Sequence, residues 1–348
     1  MTILGAAVGI AIYVAVVAIT NNLEKETKQV IDDYNADITV QGKGAPSPLH
    51  SRIKSEDIDA LKAMLGNQVD PLVVGALREN WNSYVMLLGV PQSLLPRFGL
   101  LEGSAPLPGG RDVMIGTILA QELGLKAGGS IPLGGGSAIV TGIYSMGNRL
   151  VDGGMVADIA EAQRLLGKEG QINIALVRIR NKGEVKNLIR DINRRFPRLN
   201  ALPTADFVGN IRLFRTIGTF TKSVAIICFF GSCLVVTNTL LMALSERTRE
   251  VGILMAVGWR PWLVIRMLLA ESVTLCLCGA VAGNGMAILI LKFLNNSKAV
   301  GFGWIPVTIS PATFLGSLGV TILLALIALI WPATIVYKLS PVEALRHE

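Results

Sequence analysis

The chain has 348 residues, 51% of them hydrophobic and 16% charged, against about 25% charged in an ordinary soluble domain. The deficit sits in long uncharged stretches, while residues 23–215 have a soluble composition, so the chain reads as membrane spans plus a globular domain. The net charge of +7 comes without any basic run interleaved with aromatics, which argues against nucleic acid as a partner.

Crossing about 30 Å of hydrocarbon takes about 20 mostly apolar helical residues. Residues 3–20 meet that requirement. They lack the basic start and the small-residue cleavage site of a signal peptide, so they read as a retained first span. Within them Gly5 and Gly9 form a G-x-x-x-G, a spacing that lets helix backbones approach closely in lipid.

The soluble stretch follows. Residues 36–41 read as a strand, and 55–65 as a helix with Ser55 as N-cap and Ile58, Leu61 and Leu65 on one face. Strands are expected at 73–77, 84–90 and 137–144, the last bounded by Gly134, Gly135 and Gly136. Residues 113–123 mix a short strand with a helix that Gly124 ends. A helix at 159–166, a strand at 173–180 and a helix at 184–196 complete an α/β (α+β) domain. Residues 205–222 read as one polar helix running into the next span, a rigid stalk.

Three further spans lie at 223–244, about 263–291 and about 312–337. The third holds a second G-x-x-x-G, Gly279 and Gly283, and an acid, Glu271, read as bonded to a neighbouring group rather than lining a solute path. The loop after the second span carries Arg247, Arg249 and Arg260, with Arg266 next, and the tail carries Lys338 and Arg346. The loop after the third span holds only Lys292 and Lys298, so the first loop, the tail and the N-terminus are expected in the cytoplasm and the soluble domain outside. The domains expected are residues 1–22, 23–212 and 213–348.

Chemistry-bearing constellations are scarce. The two histidines, His50 and His347, fall on opposite sides of the membrane, which removes multi-His metal sites and His-paired nucleophiles. Cys228, Cys233, Cys276 and Cys278 all lie in apolar runs and read as packing residues. No G-x-x-x-x-G-K-[ST] occurs, so no phosphate-cradling loop is expected and the chain reads as a non-enzyme with no cofactor or metal of its own.

The loop at 245–262, SERTREVGILMAVGWRPW, is too amphipathic for a plain connector. Glu246, Arg247, Arg249 and Glu250 lead into Val251, Gly252, Ile253, Leu254, Met255, Ala256 and Val257, and Gly258 ends the segment. It reads as a short helix, either lying on the bilayer or docking a cytoplasmic partner. It resembles the E-R-x-R-E-I-G-[IL]-x-[RK]-A-[IL]-G signature of FtsX/MacB-like ABC transporter permeases. The tail SPVEALRHE resembles their C-terminal P-x-E-A-L-R, and residues 116–125, GTILAQELGL, resemble the G-x-x-L-A-x-x-L-G-L of their periplasmic domain. Met255 stands where a basic residue is usual, Gly129-Ser130 where Gly-Asp is common, and the basic segment preceding the first span in relatives is missing, so the natural start stays open.

The resemblance implies a four-span α-helical membrane protein with an inserted MacB-like periplasmic core domain. It implies a bacterial inner-membrane location and a second permease copy, in a homodimer or a paralogous heterodimer. It implies a separate ABC ATPase that holds ATP and Mg and drives the outer domain by mechanotransmission, for export or extraction of an amphipathic substrate. It allows a periplasmic adaptor as a further partner, besides membrane lipid. The alternative is a non-transport complex that activates an extracytoplasmic partner such as a cell-wall hydrolase.

Overall fold

A computed structural model describes residues 2–78, 84–133, 136–296 and 309–339. The tail motif at 340–348, Lys298 and the Gly134-Gly135 pair lie outside the described residues. The chain divides into two compact units, one formed by residues 22–217 and the other chiefly by residues 2–21, 218–294 and 309–339.

The first helix, α1 (Thr2–Asp33), outruns its apolar stretch and continues into the outer unit. The outer unit then runs β1 (Ile38–Gly42), β2 (Ile53–Lys54), α2 (Ser55–Leu65), β3 (Val69–Arg78), β4 (Tyr84–Val90), β5 (Gly99–Gly103) and β6 (Asp112–Gly116). It continues with α3 (Thr117–Leu123), β7 (Ser130–Leu133), β8 (Gly136–Ser145), α4 (Arg149–Asp152), β9 (Met155–Asp158) and α5 (Ile159–Leu166). It ends with β10 (Gln171–Ile172), β11 (Ile174–Val177), α6 (Val185–Arg195), β12 (Leu199–Pro203) and α7 (Thr204–Asn210).

Ten strands form one sheet in the order β12-β1-β11-β3-β4-β9-β6-β8-β5, with β7 also on β8, and β2 pairs separately with β10. The pairs β4–β9 and β6–β8 are parallel and the others antiparallel. Side chains alternate between the two faces of a strand. Here both faces are apolar, so both are covered. Val73 and Leu87 face one core with Ile58, Leu61, Leu119, Ala162 and Ile192 from α2, α3, α5 and α6. Val74 and Leu88 face the other core with Ile31 and Tyr34 from the end of α1, Val151 from α4 and Phe207 from α7.

Local details depart from the sequence reading at several points, among them β5, β7, β9 and β12, which it did not anticipate. Lys54, not Ser55, is the residue before α2, and its side chain makes no cap, so the helix opens without one. The strand at 173–180 shortens to Ile174–Val177: before it Asn173 turns its side chain onto the loop at 48–51, and after it the Ile179 N–H donates to the Asp37 carboxylate rather than to a neighbouring strand. The helix expected at 205–222 is broken at Ile211, which is extended and ends α7.

The membrane unit holds α8 (Arg212–Glu246), α9 (Thr248–Ala256), α10 (Pro261–Asn296), α11 (Pro311–Ala328) and α12 (Ile330–Lys338), with α8 beginning in the outer unit. Four helical segments among the described residues are long and apolar enough to cross a membrane: Ile3–Asp33, Arg212–Glu246, Pro261–Phe293 and Pro311–Lys338. The last is split at Leu329, between α11 and α12. Pro332 has no N–H to give the Ala328 carbonyl four residues back. The Thr237 hydroxyl of α8 donates to that carbonyl instead, at 3.2 Å. A freed backbone acceptor inside a membrane must find such a partner.

Candidate coupling helix and helix-packing contacts

The loop between α8 and α10 folds as α9, which starts one residue beyond Arg247; Glu246 is the last residue of α8. Its end is a double hydrogen-bonded stop. The Gly258 N–H donates to the Met255 carbonyl at 3.1 Å and the Trp259 N–H to the Leu254 carbonyl at 3.0 Å. Gly258 has φ +101°, a conformation other residues resist, so this cap depends on glycine.

The helix has two faces. Val251 and Gly252 are buried, and Val251 packs in a core with Leu244, Val264, Ile265 and Leu268. The opposite face carries Glu250, Ile253, Ala256 and Val257, with Glu246, Arg247 and Arg249 at its start, all exposed; Leu254 is half-buried. Val257 is 78% and Ile253 47% exposed. Glu271 reaches back from α10 to the start of this segment, with Oε2 3.8 Å from Nη1 of Arg247. Both groups are solvent-accessible, so the pair contributes about 0–1 kcal/mol. It ties Arg247 to the third span and supplies the neighbour that Glu271 lacked in the sequence.

Val257, Trp259 and Trp262 also belong to the exposed apolar surface here. The spacing Glu250, Ile253, Val257 puts these three on one helical face, so the charged flank and the apolar run read in the sequence meet there.

The two G-x-x-x-G pairs do not face each other. A Cβ at Gly5 would stand 2.7 Å from Cγ1 of Val235, and one at Gly9 would collide with Oγ of Ser232, both on α8. A Cβ at Gly283 would stand 2.6 Å from the Ala7 carbonyl oxygen, and one at Gly279 3.0 Å from Cβ of Ala6, both on α1. One pair therefore lets α1 approach α8, and the other lets α10 approach α1. Asn284, beside Gly283, is buried and donates to Oγ of Ser317 on α11 at 3.0 Å and to the Ala280 carbonyl at 2.8 Å.

His50 Nδ1 meets only Oγ of Ser47, at 2.8 Å. Lys168 donates to the Val74 carbonyl at 2.7 Å and the Leu49 carbonyl at 3.3 Å. Burial, and then the nearby Arg52 charge, push its ammonium below the usual lysine range. With Asn173, which donates to the Pro48 and Ser51 carbonyls, it clasps a loop. No group of three or more His, Cys, Asp or Glu that could hold a metal occurs among the described residues.

A family model for the MacB-like periplasmic core domain matches residues 1–195, more than half the chain, and one for the FtsX-like permease C-terminal matches residues 222–341. The macrolide export ATP-binding/permease protein MacB of Bdellovibrio bacteriovorus is 22% identical over 398 residues, which cover 100% of this chain and 59% of that protein. An uncharacterised ABC transporter permease of Methanocaldococcus jannaschii is 26% identical, over 64% of this chain and 58% of that one. The pyoverdine export ATP-binding/permease protein PvdT of Pseudomonas fluorescens is 34% identical over 39% of this chain and 20% of its own length. The chain thus spans at most about three-fifths of the curated relatives named here, 59% in the first. Among solved structures, the extracellular domain of the noncanonic ABC-type transporter YknZ from Gram-positive bacteria gives a TM-score of 0.38 at 16% identity, over 48% of this chain and 98% of that one. The periplasmic region of MacB from Actinobacillus actinomycetemcomitans gives 0.40 at 12% identity, over 51% and 93%. With four span-capable helices around an inserted α/β domain and both family models matched in order, the chain belongs to the FtsX/MacB-like family of ABC transporter permeases.

Proposed function

We propose that this chain is a transporter permease driven by a separate cytoplasmic ABC ATPase, which docks on α9. The observation that carries the reading is the outward face of α9. It presents Glu250, Ile253 and Val257 together, fixed from behind by buried Val251 and ended by the glycine cap. A helix that only lay on the bilayer would not need acids and exposed apolar groups interleaved on one face. ATP and Mg belong to the ATPase, whose closure pushes α9 and, through the membrane helices, moves the outer domain. The substrate is amphipathic and is handled outside the bilayer, for export or extraction; the relatives named as macrolide and pyoverdine exporters support this class. A second permease copy completes the unit. The arginines at 247, 249, 260 and 266 support a cytoplasmic α9 and an inner-membrane protein with both termini inside.

The test is co-purification of the ATPase with Glu250→Arg and Ile253→Asp. Mispairing a charge at a buried contact costs about 2–5 kcal/mol, and an aspartate against an apolar groove costs a similar amount. Each variant should insert normally, lose the ATPase and fail to stimulate it. Normal co-purification and stimulation by both would remove α9 as the coupling element.

A further inference from the structure

The charge of the outer unit is concentrated in one segment. Residues 178–198 hold eight Lys and Arg against Glu184 and Asp191, a net +6. The rest of residues 22–217 holds 15 basic and 18 acidic residues, a net −3. The segment is α6 with its two flanks. Lys182, Lys186, Arg190, Arg194, Arg195 and Arg198 are all exposed, and none of them makes an ion pair among the described residues. The helices α2 and α5 carry no such excess: α2 sets Glu56, Asp57 and Asp59 against Lys62, a net −2, and Arg164 of α5 pairs with Glu161.

Lys186, Arg190 and Arg194 follow one another four residues apart, so their side chains form a row with about 5–6 Å between neighbours. Like charges so placed repel, and each such pair destabilises a bare helix. The fold tolerates the row because the opposite face of α6 is buried: Ile192 is in the core, with Val185, Leu188 and Ile189 packed against it. The outer face therefore offers guanidinium and ammonium groups and no apolar patch. Arginine forks of this kind match carboxylates in pairs.

The direction of the row favours a protein over a lipid surface. Val177, just before the segment, pairs with Ile38, at the sheet end where α1 and α7 join. Arg198, at its close, accepts from the Lys43 N–H at the other end of β1, beside the Gly42–Leu199 pair. The cations thus run away from that junction along the sheet edge, instead of gathering at one end as a headgroup-binding patch would. We propose that the outer face of α6 docks an acidic helical segment of another extracytoplasmic protein, its carboxylates spaced four residues apart to match Lys186, Arg190 and Arg194.

The test uses the full chain in its native cells, with the photocrosslinker p-benzoylphenylalanine at Asn187. Adducts are mapped to the residue by mass spectrometry. The expected adduct is a net-acidic peptide from another exported protein. Its yield should fall about tenfold in a Lys186→Gln, Arg190→Gln, Arg194→Gln triple variant, as three weak surface charge pairs together predict. A charge-keeping triple, Lys186→Arg, Arg190→Lys and Arg194→Lys, should restore most of it. Both triples should still co-purify the ATPase, which separates failure here from failure of the transporter reading. An adduct on a neutral or basic peptide, on this chain itself, or on lipid alone would overturn the proposal. So would equal yields from the neutral triple and the parent, or no adduct at all.

Discussion

The two units of this chain are held together by opposite uses of side-chain size. The outer unit packs large branched residues on both faces of a sheet: Val73, Leu87 and Ile192 on one side, Leu72, Leu88 and Phe207 on the other. The membrane unit fills several of its closest contacts with Ala6, Ala7, Ala280, Ala287, Gly279 and Gly283. In water, burying a large apolar side chain is itself the driving force. In lipid that force is absent between helices, and close backbone approach plus a few hydrogen bonds must serve. The same sequence therefore obeys two packing codes, and each can be broken separately.

The largest expected effect is a cavity in the outer unit. Leu87 is fully buried on β4. Leu87→Ala should destabilise the unit by about 2–5 kcal/mol. The measurement is denaturant unfolding of the fragment 22–217, which should be soluble and unfold cooperatively, since it encloses its own two cores. A fragment that aggregates would show that the units are not independent. A loss below about 1 kcal/mol would show that the site collapses to fill the gap.

Next comes the reverse change in the membrane unit, where adding volume does the damage. Gly283 has the Ala7 backbone 2.6 Å from where a Cβ would stand, whereas Gly285, two residues on, has open space. Gly283→Leu should cost about 1–3 kcal/mol by overpacking and lower the melting temperature of the detergent-solubilised chain. Gly285→Leu should leave it unchanged or raise it, because leucine is the better helix former by up to about 1 kcal/mol. Equal effects at the two glycines would mean that α1 and α10 do not approach as closely as this.

The contrast also explains what the sequence could show. The strands of the outer unit were legible because runs such as VMLLGV at 85–90 stand between turn residues, and α5 because its apolar period has clear limits. The order of ten strands was not, because β3 meets β11 and β4 meets β9 across 60 residues or more of chain. The break at Ile211 was missed although Gly209-Asn210, a turn-favouring pair, stands just before it, because the apolar pattern resumes at once in α8. At the candidate site, the charged start and Gly258 marked the extent of α9. Which of its faces turns outward depends on packing against α10, so the sequence did not show that Glu250 shares the outward face with Ile253 and Val257. The glycine pairs announced close approach without naming partners. Gly5 and Gly9 meet α8 while Gly279 and Gly283 meet α1, and only the bundle decides that.

A smaller effect is expected at the polar contact of the membrane unit. Asn284 and Ser317 are both buried and bonded across α10 and α11. Interhelical hydrogen bonds of this kind average about 0.6 kcal/mol and reach about 1.7. Asn284→Leu should therefore cost less in the detergent melt than Gly283→Leu does. A larger loss would mean that hydrogen bonding, not close packing, is what holds these helices.

An effect of similar size pits two buried tyrosines of the outer unit against each other. Tyr34, at the end of α1, and Tyr144, on β8, both pack against Phe98, with ring centroids at 6.3 and 5.3 Å. The Tyr144 hydroxyl donates to the Val151 carbonyl at 2.8 Å. The Tyr34 hydroxyl is buried with no hydrogen-bond partner among the described residues. Losing a made bond costs about 0.5–1.5 kcal/mol, whereas an unmade one is a liability already. Tyr144→Phe should therefore destabilise by about 1 kcal/mol, and Tyr34→Phe should be neutral or stabilising at pH 7. The same pair sets an alkaline limit. Burial pushes both phenols above the ordinary value of 10.0, with Asp33 adding to the effect on Tyr34, and Tyr34 and then Asp152 adding to it on Tyr144. Each raised group retains its proton in the fold after the unfolded chain has lost it. Its contribution is thus fully present below pH 10 and declines above it, by about 1.4 kcal/mol per pH unit and per tyrosine. Removing either hydroxyl should flatten that decline by one proton's worth, measured as fragment stability between pH 9 and 11. If Tyr34→Phe destabilises at pH 7, or leaves the alkaline slope intact, the hydroxyl has found a partner and the end of α1 is less dry than its burial implies.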